Sequence, residues 1–328
     1  MRLIDAATVD RYLSVEVALE AMRRCFADEA AGLTGPAARV DLPHEAGWMR
    51  VLPAVASGLG LFGHKVISFN REIGVRYVVT LFDVATGDMR ALIDAEAITG
   101  ARTGAVSAVA ADLLAPQDVS VGAVIGTGSV ARTQLPALQA VRPVEEIRVY
   151  SRQPENRAGF IAEMSGCLDV RFVDCVSVEE ALEGAGIVTL ATKSAEPVLF
   201  TRHLRPGMHV NSVGSARPNL SEVDPAAFGE FDRVVCDSVD LVFNESGGAI
   251  AAEENGLFAR SEAADLSAIL DPVPTRGVDD ITLFKSTGSG LQDLYLTAAI
   301  LEAAAANRAG RVVEGLLGLK AFGSSGRT

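Results

Sequence analysis

Apolar positions recur at three- and four-residue spacing through "SVEVALEAMRRCFADEAAG" (residues 14–32), which predicts a helix with Ser14 as its cap. From residue 48 the period shortens. "WMRVLPAV", "GLFGHKVISF" and "VRYVVTLFDVATGDMRALID" read as strands with a turn at "ATGD", a pattern suited to an antiparallel sheet. The helical period returns in "ITGARTGAVSAVAADLLAP" (98–116), where small residues on several faces imply the close approach of another element and Pro116 marks the end.

From residue 119 strand, turn and helix alternate. "VSVGAVIG" leads into "VARTQLPALQAV", "EIRVYS" into "PENRAGFIAEMSG", and "VRFVDC" into "VEEALEGA". "GIVTLAT", "MHVNSVG", "RVVCDS" and, after "ESGGAIAAEENG", "DITLFKSTG" follow as short apolar strands. This alternation predicts a parallel, doubly wound sheet of the Rossmann type. The Ala-rich "LQDLYLTAAILEAAAANRAG" (291–310) carries an apolar face too wide for water and is expected to pack back on the first segment, and the tail "FGSSGRT" is expected to be disordered. The fold class is therefore α/β, with a nucleotide domain at 118–294 and an α+β domain made of 1–117 with 295–328.

Composition narrows the function. The chain has 328 residues and a formal net charge of −13, with 49% hydrophobic and 5% aromatic residues, as in a globular layered protein. No Lys/Arg cluster offers a nucleic-acid or anionic-membrane surface. No basic-then-apolar leader and no run of about 18 apolar residues stands in the sequence, so a cytoplasmic location with no membrane partner is expected. Cys25, Cys167, Cys175 and Cys236 are scattered and read as reduced buried thiols, while His44, His64, His203 and His209 lack zinc-ligand spacing.

The chemistry begins at Gly126-Thr127-Gly128-Ser129-Val130-Ala131, a G-x-G-x-x-A turn directly after one predicted strand and opening a helix. Gly126 makes the tight turn, Gly128 lets the backbone approach a pyrophosphate, and Ala131 lets helix and strand pack closely. The helix N-terminus then faces the anion with free amides. At the end of the second strand stands Tyr150-Ser151-Arg152-Gln153, without the acid that holds an unphosphorylated ribose. Ser151 and Arg152 can bind a 2′-phosphate, so NADPH is favoured and NADH is possible. If Arg152 is a solvated loop arginine instead, both cofactors are tolerated.

"ARTGAVSAVAADLLA", "VIGTGSVARTQLPAL", "VYSRQPEN", "RPGMHVNSVGSARP" and "LFKSTGSGLQDL", in this order, resemble the ornithine cyclodeaminase and mu-crystallin family over nearly the whole chain. The resemblance implies a homodimer in which the 1–117 and 295–328 segments serve substrate binding and dimerisation. It also implies hydride chemistry on a small imino or amino acid in the cleft between domains. Arg39, Lys65 and Arg102 match the positions that hold the substrate carboxylate; Thr192, Val213 and Ser286 match contacts around the nicotinamide half, and Asn156 falls within the cofactor-binding "SRQPEN" stretch.

The residues support part of this independently. Lys65 lies in an apolar strand, where a bare ammonium is costly without an anion or proton acceptor; the alternative is a strand-edge lysine facing water. Arg102 lies in a helix of small apolar residues and needs a buried partner: substrate, cofactor phosphate, or an acid such as Asp94 or Glu96.

Two departures bear on the reaction. The cyclodeaminases carry an acid after the "VG" turn, whereas this chain reads Gly214-Ser215-Ala216-Arg217-Pro218; and Arg50 in "MRVLP" stands where those enzymes receive a distal amine. Arg50 would repel an amine and could pair with a carboxylate, or else it points to solvent. The reading that results is an NAD(P)H-dependent reductase of a ketimine or imino acid, or an amino-acid dehydrogenase in reverse. Lys65 or a water supplies the proton, and Arg39, Arg50, Lys65 and Arg102 bind the substrate. The alternatives are ornithine cyclodeaminase with its base from elsewhere, and a catalytically weak nucleotide-dependent binding protein of the mu-crystallin type.

Overall fold

The structure, a computed structural model, describes residues 1–35, 37–271, 273, 275–316 and 318. The segment "FGSSGRT", expected to be disordered, lies outside the described residues. Two eight-stranded sheets organise the chain.

In the first sheet, neighbouring strands are Arg311–Val312, Arg2–Ile4, Met89–Asp94, Gly74–Asp83, Leu61–Asn70, Gly47–Ala56 and Thr34–Gly35, and Val40–His44 also pairs with Gly47–Ala56. The long strands predicted between residues 48 and 94 are all present and pair antiparallel. Arg2–Ile4 departs from that pattern by running parallel to Met89–Asp94. The strands that the pattern did not predict are two to five residues long, too short to show an alternation; a long neighbour forms them by pairing.

The helix Val15–Ala30 begins at the predicted cap, with Ser14 Oγ accepting from the Val17 N–H at 3.3 Å. A further helix, Ala6–Tyr12, precedes it under an Asp5 cap. The last helix, Gly290–Ala306, packs on Val15–Ala30 and on the strand Gly47–Ala56, so Met22, Phe26, Leu294 and Ile300 share one core. The small residues of Glu96–Leu114 serve the expected close packing. A Cβ at Gly104 would stand 2.1 Å from the Thr133 carbonyl oxygen, so this helix lies directly against Ser129–Val141.

The second sheet is parallel throughout, in the order Arg171–Asp174, Glu146–Tyr150, Val121–Ile125, Ile187–Leu190, His209–Ser212, Thr282–Lys285, Arg233–Cys236 and Ala264–Asp265. Its central strands are buried along their whole length, as strands covered on both faces must be. Strand order reverses at Val121–Ile125, whose neighbours are the next strand on one side and Ile187–Leu190 on the other. The loops at that switch point lie beyond the carboxyl ends of the strands, where doubly wound sheets place their ligand crevice.

All four cysteines are free. Cys25, Cys175 and Cys236 are buried, but Cys167 is exposed, because it sits in the turn after the helix Pro154–Ser165 rather than on a packed face. Among the described residues no helix is long and apolar enough to cross a membrane, and no group of three or more His, Cys, Asp or Glu side chains is placed to hold a metal.

Candidate active site

The glycine turn lies at the switch point. Gly126 has φ +105° and donates its N–H to the Tyr150 carbonyl at 2.8 Å, and a Cβ there would stand 2.5 Å from the Ala191 oxygen. Only glycine fits. Gly128, the exposed cap of the helix Ser129–Val141, has open space where its Cβ would be, so a ligand can meet the backbone there. Ser129 is exposed and Val130 half-buried beside it.

Thr127 Oγ1 donates to Ser151 Oγ at 3.2 Å and so joins the first turn to the end of the second strand. The buried Arg157 pairs with Asp174 and donates to the Ser151 carbonyl at 2.8 Å, which holds that loop in place. Arg152, Gln153 and Asn156 lie exposed along its edge. The required glycine, the open backbone and the helix N-terminus fit a dinucleotide phosphate.

Buried charges line the crevice beyond this turn. Glu222 accepts from the Thr192 N–H (2.6 Å), Thr192 Oγ1 (3.0 Å), Ser212 Oγ (2.8 Å) and the Gly214 N–H (2.9 Å). Lys285 Nζ donates to the Ser215 carbonyl at 2.8 Å and to its hydroxyl at 3.0 Å, and burial pushes the ammonium below its usual pKa. Asp237 accepts from Ser286 Oγ (2.7 Å), the Gly288 N–H (2.7 Å) and Gln292 Nε2 (3.0 Å). Thr192, Val213 and Ser286 thus fall on three loops fixed by two carboxylates and one ammonium. The sequence reading missed all three fixing residues: Glu222 and Asp237 are lone charges near strand ends with no motif around them, and Lys285 stands within "LFKSTGSGLQDL", where only Ser286 was singled out.

The predicted carboxylate binders gather at the far end of the crevice. Lys65 is fully buried, with Nζ 2.6 Å from Asp293 Oδ2, which rules out a strand-edge lysine facing water. Arg102 places Nε 3.0 Å from Asp293 Oδ1 and donates from Nη1 to Gln292 Oε1 at 2.8 Å; its acidic partner is therefore Asp293, not Asp94 or Glu96. Arg39 donates from Nη2 to the Gly288 carbonyl at 2.7 Å, and its Nε lies 2.6 Å from Glu245 Oε1. Gly288 also lies against the Arg102 guanidinium, so a single residue bridges the two arginines. Arg50 forms a bidentate pair with Asp41 at 2.5 and 2.6 Å, so a carboxylate of the chain itself meets the guanidinium that was expected to face substrate or solvent.

Burial pushes the Lys65 ammonium down to about 8, against the pull of Asp293, and pushes the Glu245 carboxyl up to about 7, against the pull of Arg39. Thr287 Oγ1 and Glu245 Oε2 are buried here without a hydrogen-bond partner among the described residues, which leaves unmet polar capacity in the pocket. Asp293 and Glu245 were not read from the sequence. A signal for Asp293 existed, since an acid inside an Ala/Leu-rich helix needs a buried cation by the same reasoning that singled out Lys65.

A doubly wound parallel sheet with this glycine turn, opening toward a buried cationic pocket, defines an oxidoreductase that uses a nicotinamide dinucleotide on a small carboxylate. Residues 2–308 match the profile of the ornithine cyclodeaminase/mu-crystallin family. The chain is 31% identical to the Delta(1)-pyrroline-2-carboxylate reductase of Bacillus cereus, covering 84% of this chain and 88% of that protein. It is 30% identical to the ketimine reductase mu-crystallin of Mus musculus, over 78% and 80%. The structure of the Thermococcus litoralis Delta(1)-pyrroline-2-carboxylate reductase in complex with NADH and L-proline superposes with a TM-score of 0.90 at 31% identity, covering 95% of this chain and 100% of that one. The chain belongs to the ornithine cyclodeaminase/mu-crystallin family, and it is an NAD(P)H-dependent enzyme acting on the C=N or CH–NH group of a small carboxylate.

Proposed function

We propose that the protein reduces a ketimine or imino acid with NADPH as the preferred cofactor, and that the observation carrying this reading is the buried Lys65–Asp293–Arg102 cluster at the end of the dinucleotide crevice. Two cations share one carboxylate there. The remaining positive charge suits a substrate carboxylate, with Arg39 closing the pocket from the Gly288 side. Gly126, Thr127, Gly128, Ser129 and Val130 would cradle the pyrophosphate, Ser151 and Arg152 with Gln153 and Asn156 the ribose phosphate, and Thr192, Val213 and Ser286 the nicotinamide half.

When bound, the reduced cofactor supplies the hydride that the imine carbon accepts. The chain's part is to orient and to move a proton. Lys65 and Arg102 fix the carboxylate so that the imine carbon is presented in one orientation. With its pKa brought near neutrality by burial, Lys65 Nζ is poised to give a proton toward the imine nitrogen. Ala216 leaves the "VG" turn without an acid to activate water, which favours reduction over loss of ammonia.

We also propose a homodimer, and a division into 1–117 with 295–328 for substrate and 118–294 for the nucleotide, a division supported by the two separate sheets, although the helix Gly290–Ala306 packs as a whole on the first unit and moves that boundary to its start. The test is NADPH oxidation on adding a cyclic ketimine carboxylate. Absence of oxidation over a panel of imines and amino acids would favour the binding-protein alternative, and ammonia release from ornithine would favour the cyclodeaminase.

A further inference from the structure

The first sheet carries a guanidinium at the mouth of the pocket, that of Arg50, beyond the cations assigned to one substrate carboxylate. In the pairing register Arg50 stands opposite Ile67 and Asp41, while Lys65 stands opposite Leu52. Alternate residues of a strand and cross-strand partners share a face, so Trp48, Arg50 and Lys65 all project from the same side of the sheet. Arg50 is a diagonal neighbour of Lys65, a separation of about 7–8 Å between backbones. The second sheet contributes from across the cleft. Arg217, in the loop after His209–Ser212, lies over the Trp48 ring at 4.9 Å, and Arg50 lies over the same ring at 5.8 Å.

The charges divide into two groups. Inside, Lys65 and Arg102 face Asp293 alone. At the mouth, Arg39, Arg50 and Arg217 face Glu245 and Asp41. Asp237, behind them, is held by neutral donors. Asp237 keeps its negative charge and acts on Arg39, so the spare positive charge lies with Lys65 and Arg102, and a second one appears at the mouth, one diagonal step away, when Asp41 is displaced. Asp41 is a poor permanent partner, because its side chain is 52% exposed and the whole strand Val40–His44 is exposed, whereas the Arg50 side chain is only 13% exposed. The guanidinium is buried, whereas its counter-ion stands on an exposed strand.

We propose that Arg50 and Arg217, braced on Trp48, form a subsite for a second carboxylate, so that this enzyme favours imino and amino dicarboxylates over monocarboxylates, with Asp41 as the counter-ion the substrate displaces. This rests on the reading of Lys65, Arg102 and Arg39 as the binders of the first carboxylate. The planar guanidinium of Arg50, whose Nε and Nη2 already hold the Asp41 carboxylate, offers the same bidentate geometry to a substrate carboxylate, and Arg217 reaches the shared Trp48 ring from the nucleotide side.

The test is a calorimetric titration of the NADPH-saturated enzyme, in which no turnover occurs, with L-aspartate, L-glutamate, L-alanine and L-proline. Emission from Trp48, the only tryptophan in the chain, is the second readout. The better dicarboxylate is expected to bind about tenfold or more tighter than alanine or proline, the scale of one hydrogen-bonded charge pair, and to change the Trp48 emission. Arg50→Ala and Arg217→Ala should each reduce that ratio to about threefold or less; Arg217 is an exposed loop residue, so its variant keeps the test valid if Arg50→Ala fails to fold. Alanine or proline binding as tightly as both dicarboxylates, no binding by either readout, or an unchanged ratio in Arg217→Ala overturns the proposal. If the dicarboxylate preference holds while no imine is reduced, the reductase reading falls and the subsite stands.

Discussion

Replacing Lys65 by methionine keeps the aliphatic stem and removes the ammonium, and so separates what the charge costs the fold from what it does for the reaction. Burial lowers the Lys65 pKa from 10.5 to about 8, which corresponds to about 3 kcal/mol against holding the ammonium inside at neutral pH. The Lys65→Met change removes both the desolvation of the ammonium and its 2.6 Å attraction to Asp293, which that figure already includes, and leaves Asp293 with Arg102 alone at 3.0 Å. The two effects oppose each other. The melting temperature should stay within about 4 °C of the parent, whereas kcat/KM for imine reduction should fall about a hundredfold or more, near 3 kcal/mol.

The pH dependence has a definite sign. Between about 8 and 10.5 the unfolded chain holds a proton on Lys65 that the folded chain has released, so the parent gains stability relative to Lys65→Met as pH rises through that window. Substrate binding moves the other way. It should weaken above pH about 8, where the ammonium that meets the carboxylate is lost, and this alkaline limb should be missing in the variant. Lys65→Arg should rescue little, since a planar fork cannot occupy the place of a compact ammonium. The assays are initial rates of NADPH oxidation from pH 6 to 10, about the range over which Lys65 titrates, together with thermal melts at the same pH values. A methionine variant that reduces imines at the parent rate would refute the placement of the substrate pocket.

Three further outcomes are expected. Arg152→Ala should weaken NADPH by about 1.5–3 kcal/mol and leave NADH nearly untouched in fluorescence titrations; equal losses for both would show that the exposed arginine does not read the phosphate. Gly126→Ala forces a side chain into a φ of +105° and to within 2.5 Å of the Ala191 oxygen, so it should cost about 1–3 kcal/mol in denaturant melts and sharply weaken both cofactors, and parent-like affinity would contradict the assigned turn. Sedimentation at micromolar concentration should give a dimer, and a monomer would count against the assigned role of the first sheet.

Periodicity alone located the long elements. The helix capped by Ser14, the antiparallel run from Trp48 to Asp94, and the strand–turn–helix alternation from Val119 all depend on local spacing and caps, which a chain displays whatever it later packs against. The glycine turn was legible for the same reason, since Gly126, Gly128 and Ala131 lie within six residues and their geometry is set by the backbone. Lys65 and Arg102 could be singled out because a charge in an apolar stretch must find a partner. What the sequence could not show was the partner itself. Asp293 is 191 residues from Arg102 in the chain, Glu245 reaches Arg39 from the end of the helix Val239–Glu245, and Arg217 crosses from one sheet to the Trp48 of the other. Pairing between distant charges is decided by where the last helix docks and where parallel strands end. Those positions follow from burying the apolar faces of both sheets at once, and only the assembled tertiary structure determines them.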